Sequence, residues 1–260
     1  MTRFSYALLF SSLLMSSTAM AQESIFAISE KQDKTYIDLG ISALSTPEYL
    51  GSDDDQVRIL PFINAEYKGR LFLNPYQGAG VNLINDGKFR VSGSAYFAPS
   101  RKSEDTPFTD PSFDIDGGAL ARASARYLWK YAAFDVTGSV PVFGDMEGAE
   151  VEFRATTLLP ISDTIRIGPS IFAGYQTSDW LNTLYGVNTE QALAAGLTEL
   201  SYSDGFGTYG AAATAFVKLP ADLSMIGILS YTKLDGSLKD SPLTPRNDGI
   251  MGAVAISKRF

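Results

Sequence analysis

Histidine and cysteine are both absent from this 260-residue chain. Without histidine there is no Ser-His-Asp triad, no Cys-His pair and no His-ligated zinc or iron. Without cysteine there is no disulfide framework, no CxxC redox pair and no iron–sulfur cluster. Basic residues are also scarce: 21 Lys+Arg stand against 29 Asp+Glu, a formal net charge of −8. A chain of that sign binds nucleic acid only through a strongly basic face, and the sequence has no basic cluster, so no nucleic-acid partner is expected. Long apolar runs are missing too. After residue 21 no stretch reaches the ~18 consecutive apolar residues of a membrane-spanning helix.

What is present begins with the N-terminus. Residues 1–21 read MTRFSYALLFSSLLMSSTAMA. Arg3 supplies a positive n-region, Tyr6–Met15 a short apolar core, and Ala19-Met20-Ala21 an A-x-A cleavage site, which together predict a cleaved secretory signal peptide. The apolar core is shorter than the ~20 residues needed to span a bilayer as an anchor. Residues 22–34 are expected to form a periplasmic N-terminal stretch and 35–260 the folded domain.

That domain reads as alternating strands. In 88–97, Phe89, Val91, Gly93, Ala95 and Phe97 oppose Lys88, Arg90, Ser92 and Ser94, with Tyr96 the exception. In 131–140, Ala132, Phe134, Val136, Gly138 and Val140 oppose Asp135, Thr137 and Ser139. Residues 119–127 set four alanines and Tyr127 against Arg122, Ser124 and Arg126, and 35–43 set Ile37, Leu39 and Ile41 against Tyr36, Asp38 and Ser42. Segment 222–233 resists assignment, because Leu223, Met225 and Leu229 on one face and Ile226 and Ile228 on the other are all apolar. Period-2 alternation over about ten residues is the signature of a transmembrane β-strand.

Strands are predicted near 35–44, 57–67, 70–74, 77–85, 88–97, 117–128, 131–141, 150–159, 165–176, 206–217, 222–233 and 249–260, twelve in all. Tight turns at Lys68-Gly69, Asn85-Asp86-Gly87, Trp129-Lys130, Ser162-Asp163-Thr164 and Pro220-Ala221 alternate with longer segments at 45–56, 98–116, 142–149, 177–205 and 234–248. Only Pro75-Tyr76 breaks that rule. Short turns at one end and long loops at the other are the mark of a bacterial outer-membrane barrel, with short turns in the periplasm. The expected fold is therefore an all-β, antiparallel, up-and-down transmembrane β-barrel of about twelve strands in the outer membrane of a Gram-negative bacterium. Its first partners are outer-membrane lipids. The final residues, GIMGAVAISKRF, end on Phe260, like the terminal strand read by the barrel assembly machinery. Lys258 shares the face of Ile250, Val254, Ile256 and Phe260, where its amine can snorkel to water. A mean hydropathy of +0.01 fits a wall that is apolar on alternate residues only.

PEYLGSDD at 47–54, with Pro61, Tyr185-Gly186-Val187, Ser241-Pro242-Leu243 and the terminal Lys258-Arg259-Phe260, resembles the MltA-interacting protein (MipA)/OmpV family. The resemblance implies an outer-membrane barrel without established catalysis or cofactor. It implies a scaffold joining a murein-degrading lytic transglycosylase to a bifunctional penicillin-binding protein; other members are described as porin-like proteins, adhesins or antigens. No catalytic residue is carried over, and the absence of histidine removes the usual general base of barrel phospholipases and proteases.

Three groups of residues are candidates for chemistry. Glu48 with Asp53, Asp54 and Asp55 can hold a hard cation through oxygen ligands, or can be a loop tied locally by an Asx or Ser turn. Arg122, Arg126, Arg154 and Arg166, with Asp38, Glu66, Asp135 and Glu152, are expected to face the lumen. They form either a pore's selectivity lining or an ion-paired plug. In TEQALAAGLTEL at 189–200, Leu193, Leu197 and Leu200 have helical spacing but Gly196 interrupts the face, so either a short helix or an ordered loop is expected at the mouth. Loop 98–116, with Arg101, Lys102, Glu104, Asp105 and Asp110, is expected to be solvated and mobile.

Overall fold

The computed structural model describes residues 35–98 and 100–260. The signal peptide expected at 1–21 and the stretch 22–34 lie outside the described residues. The alternating segments form one antiparallel sheet that closes on itself. Its strands are β1 (Tyr36–Pro47), β2 (Asp55–Tyr67), β3 (Leu71–Asn74), β4 (Gly78–Asn85), β5 (Phe89–Ala98), β6 (Gly118–Trp129), β7 (Ala132–Phe143), β8 (Glu150–Thr157), β9 (Leu159–Pro160), β10 (Ile165–Gln176), β11 (Gly205–Lys218), β12 (Leu223–Leu234) and β13 (Asp248–Arg259). β13 pairs with β1 and closes the ring. β8 and β9 both lie against β10 and are one wall strand interrupted at Leu158, so the barrel has twelve strands.

The period-2 pattern translates directly into two faces. Outward lie Ile41, Val57, Ile59, Leu83, Ile171, Leu229 and Ile250, all exposed in the protein alone and therefore facing lipid. Aromatic side chains ring both edges of this apolar band: Tyr67, Phe89, Tyr127, Trp129 and Tyr131 at the short-turn end, and Phe97, Phe143, Tyr175, Phe206 and Tyr231 at the long-loop end. Such girdles mark the two interfaces of a bilayer. Inward lie the polar residues of the same strands. Segment 222–233, apolar on both sides, is resolved by the register: Leu229 faces lipid while Ile226 and Ile228 are buried inside.

The short turns are built as the sequence demands. Lys68 and Gly69 have φ of 51° and 65°, and Ala221 and Asp222 have 60° and 59°. Two consecutive left-handed residues make the turn whose twist matches paired strands. In the turn at Asp86 the carboxylate accepts the Lys88 and Phe89 amides at 2.9 and 2.6 Å.

The one connection that breaks the length rule does so for a structural reason. β3 is only four residues long, and its turn, 75–77, folds into the barrel. Asn74 Oδ1 accepts the Tyr76 and Gln77 amides, and Tyr76 is buried against Phe62 with ring centroids 6.4 Å apart. The hairpin stops short of the rim and leaves the neighbouring strand uncovered. Ile37 and Phe260 exchange both backbone hydrogen bonds, so odd-numbered residues of β1 face β13 and even-numbered ones face β2. In β2, even-numbered residues therefore bond to β1 and odd-numbered ones point away. Ala65 and Tyr67 meet β3. Val57, Ile59 and Ile63 have no strand beside them among the described residues. Pro61 lies in the same row, where its missing N–H costs no ladder bond. On the far side, Tyr96–Ala98 of β5 extend past the last residue of β4 that pairs with them. The wall thus carries a notch in its long-loop half, between β2 and β5.

Two apolar clusters occupy the interior. One, at the level of the notch, joins Leu44, Phe62, Tyr76, Ile226, Ile228, Met251 and Ala255. The other lies under the long loops and joins Ala98, Ile115, Leu120, Met146, Trp180, Leu181, Leu184, Tyr185, Leu234 and Leu238.

Candidate functional site: a closed mouth over a charged lumen

The long loops fold inward. Residues Ser178–Tyr185 form helix α1, and Trp180, Leu181, Leu184 and Tyr185 on its inner side are buried. Residues Thr189–Ala195 form α2, opened by a capping box in which Asn188 and Gln191 bond reciprocally. It ends at Gly196, whose φ of 67° is the left-handed stop of a helix. Gly196 therefore terminates the helix rather than interrupting its face. Leu193 is 82% exposed, so the leucine stripe read from the sequence does not dock. The packed helix is α1, whose Trp180, Leu181, Leu184 and Tyr185 carry helical spacing that went unread in SDWLNTLY.

The loop expected at 98–116 also departs from expectation in its described part. It is packed, not solvated: Phe113 is fully buried and stacks on Phe108. Arg101, 3% exposed, donates from Nη1 to the Leu184 carbonyl at 2.6 Å and lies over the Tyr49 ring. Among the described residues its Nε has no hydrogen-bond partner, nor has the Tyr49 hydroxyl. Burial pushes the Tyr49 phenol up to about 12, with the Arg101 charge opposing, and burial raises Tyr185 likewise. Further bonds lace the loops. Ser241 Oγ donates to the Tyr185 carbonyl at 2.6 Å, Gln191 to the Ser112 carbonyl at 2.8 Å, and the Arg246 amide to the Gly51 carbonyl at 3.0 Å. Gly51 has φ of 120° and lies so close to Leu243 and Thr244 that a Cβ would meet the Leu243 carbonyl at 3.1 Å.

Below this lid Asp38, Arg122, Arg126, Asp135, Glu152 and Arg154 are buried, while Glu66 and Arg166 are partly exposed. Asp135 is ion-paired to Arg126. Glu152 Oε1 accepts from Arg154 Nε and Nη2, both at 3.1 Å. Asp38 takes Arg259 in a fork at 2.7 and 2.9 Å and accepts Asn64 Nδ2 at 2.9 Å. Glu66 accepts the Tyr36 hydroxyl at 3.3 Å. Arg122 bonds to Ser139 Oγ and the Tyr76 carbonyl, both at 3.3 Å, and Arg166 is half-buried near the short-turn end. The sequence missed Arg90 and Arg259, although each sits on the inward face by simple alternation. Phe260 stands exposed beside Ile37 at the seam of β13 and β1.

The sequence matches the family described as MltA-interacting protein MipA over residues 39–260. The chain belongs to the MipA family. No curated protein matches it. Among solved structures it is similar to a bacterial polysaccharide outer membrane secretin, at 10% identity and TM-score 0.40 over 89% of this chain and 100% of that one. It is also similar to the CymD monoaromatic hydrocarbon channel, at 9% identity and TM-score 0.41 over 96% and 94%. A third likeness is to a FadL homologue of Pseudomonas aeruginosa, at 7% identity and TM-score 0.40 over 87% and 90%. The chain is an outer-membrane β-barrel.

Three of the segments that carry the family resemblance meet in the lid, while Pro61 lies in β2 and Lys258-Arg259-Phe260 end β13. PEYLGSDD contributes the buried Tyr49 and Ser52, Tyr185-Gly186-Val187 the end of α1, and Ser241-Pro242-Leu243 the strap that clasps both. The acidic run of this MipA-family barrel does not gather into a ligand set: among the described residues no group of three or more acidic side chains can hold a metal. Asp55 is paired to Arg246 at 3.0 Å, and Asp54 is tied by its amide to Ser52 Oγ at 3.2 Å. Glu48 is raised above its ordinary value by burial and by Asp105 and Asp54.

Proposed function

We propose that this protein is a closed, non-catalytic barrel that serves as an outer-membrane attachment point for murein enzymes, a lytic transglycosylase first and a penicillin-binding protein with it. The observation that carries the reading is the lid: α1 and the loop straps fill the mouth with fully buried apolar residues such as Leu234, Leu238 and Leu243. A route for solutes needs a continuous wet lumen, whereas apolar residues packed at interior density exclude water. The family description, MltA-interacting protein, supports the partner class. The short-turn end is the surface such a partner meets, since it faces the periplasm in this architecture.

The test pairs two measurements. Affinity capture of the native barrel from outer membranes is expected to recover a lytic transglycosylase. Reconstitution in planar bilayers is expected to give no steady single-channel current. Steady current together with failure to recover any murein enzyme overturns the proposal in favour of a channel.

A further inference from the structure

Between β5 and β6 the lumen holds a cavity with an unbalanced charge. Alternation places Arg90, Ser92 and Ser94 of β5 on the inner face. The register sets them opposite Arg126, Ser124 and Arg122 of β6. All six side chains line the same cavity, which Gln77 of the inturned hairpin borders. It is large enough for water. Its two carboxylates each have an arginine partner, Asp135 through Oδ1 to Arg126 and Glu152 to Arg154, while Asp135 Oδ2 has no hydrogen-bond partner among the described residues.

That leaves two guanidiniums over. Arg90 and Arg122 are each 8% exposed, and among the described residues neither has a carboxylate within ion-pair distance, although Glu66 and Asp135 lie near enough to Arg90 to act on its charge. Arg90 makes one polar contact, Nε to Asn85 Oδ1 at 3.3 Å. Arg122 makes two, both with neutral acceptors at 3.3 Å, and its guanidinium lies 4.2 Å from the Tyr96 ring centroid. Most of their N–H donors thus have no protein acceptor, and none of these nitrogens is sealed away from open space. A buried charge lacking a counter-ion is unfavourable and persists where something else supplies the opposite charge. Guanidiniums present paired donors that match an oxyanion bidentately, and serine hydroxyls add neutral donors.

We propose that this cavity binds a phosphate-sized oxyanion between Arg90 and Arg122, with Ser92, Ser94 and Ser124 as hydroxyl donors. The site is separate from the scaffold reading and stands or falls alone. The bound anion completes the charge balance of the lumen and braces β5 and β6 against the inturned hairpin.

The experiment uses the full barrel folded in a non-ionic detergent, with folding verified by its heat-modifiable migration. Thermal unfolding is followed as inorganic phosphate replaces chloride at constant ionic strength. Ligand that binds only the folded state raises the melting temperature. The expected result is a phosphate-dependent rise in the parent protein, with apparent affinity weakened about ten-fold or more in Arg90→Gln and in Arg122→Gln. Should either variant fail to fold, Ser92→Ala/Ser94→Ala, which keeps every charge, is expected to weaken phosphate binding. Phosphorus NMR line broadening reports the same binding without unfolding. Equal stabilisation by chloride and phosphate, or equal phosphate affinity in parent and variants, overturns the proposal.

Discussion

At the scale of single residues, burial decides which charges matter. Arg126 and Asp135 are paired with side chains 5% and 8% exposed. Lys102 bridges Asp114 and Asp116 at 3.2 and 2.8 Å, but its side chain is 42% exposed. Breaking a buried pair leaves an uncompensated ion, whereas an exposed pair is screened by water. Arg126→Met is therefore expected to destabilise the barrel by about 3–5 kcal/mol, and Lys102→Met to leave its stability nearly unchanged. Urea unfolding monitored by tryptophan fluorescence checks both. Arg126→Met/Asp135→Leu, which removes the stranded carboxylate, should recover most of the loss; a double variant as unstable as the single one refutes the burial argument. The inward direction of these residues was legible from alternation alone. Which arginine takes which acid was not, because partners such as Asp38 and Arg259 lie at opposite ends of the chain and meet only when β1 closes on β13.

At the scale of elements, the turn chemistry and the strand period located the wall strands within a few residues. The exceptions carry information. Pro75-Tyr76 broke the alternation of short and long connections because its hairpin turns inside the barrel, and Pro61 marks the strand edge left open beside it. The open edge makes an alternating prediction for β2. Amides of Arg58, Leu60 and Phe62, bonded to β1, should exchange slowly with deuterium, while those of Val57, Ile59 and Ile63 should exchange fast. Residue-resolved hydrogen exchange in detergent micelles reads the pattern. Uniform protection along β2 would mean that another strand covers the notch. The lid was harder to read. α1 was missed because its apolar spacing lies within a long connection, where loop composition dominates. Loop 98–116 reads as solvated from its charged residues, whereas Arg101 is held by the Leu184 carbonyl and a tyrosine ring, contacts made between distant loops.

At the scale of the whole molecule, the lid's acid–base balance sets when the barrel stays shut. The Ser103 and Ser112 amides hold the Asp114 and Asp110 carboxyls below their ordinary value of 3.8, with Lys102 aiding Asp114, and the Ser237 amide does the same for Asp235. A depressed carboxyl contributes stability that is present above its unfolded value and lost as pH falls through the folded one. Glu48, raised from 4.5 by burial, Asp105 and Asp54, acts in the opposite direction. The Tyr49 phenol, raised from 10.0 to about 12, contributes stability present below pH 10 and lost as pH rises towards 12. Three carboxyls against one give a lid that loosens below about pH 3.8 and again above about pH 10, and holds between. Proteinase digestion of loops after brief pH exposure, with the barrel core as internal control, should show cleavage only outside that window. Cleavage unchanged at pH 3 would sink the idea.

The sequence by itself determined the barrel: strand period, turn residues, apolar outer face and an aromatic C-terminus are local features, each spanning a few adjacent positions. It also narrowed the chemistry, since a chain without histidine or cysteine lacks the triads, thiols and His-ligated metals that those residues would supply. Only the tertiary structure shows which residues pack at the mouth, because those contacts join loops far apart in sequence that bury one another's apolar residues. Only the closed ring showed that Arg90 and Arg122 face one cavity without an ion pair among the described residues. A surplus of charge is a property of the whole enclosed lumen, summed over strands that meet through register, and no single strand carries it.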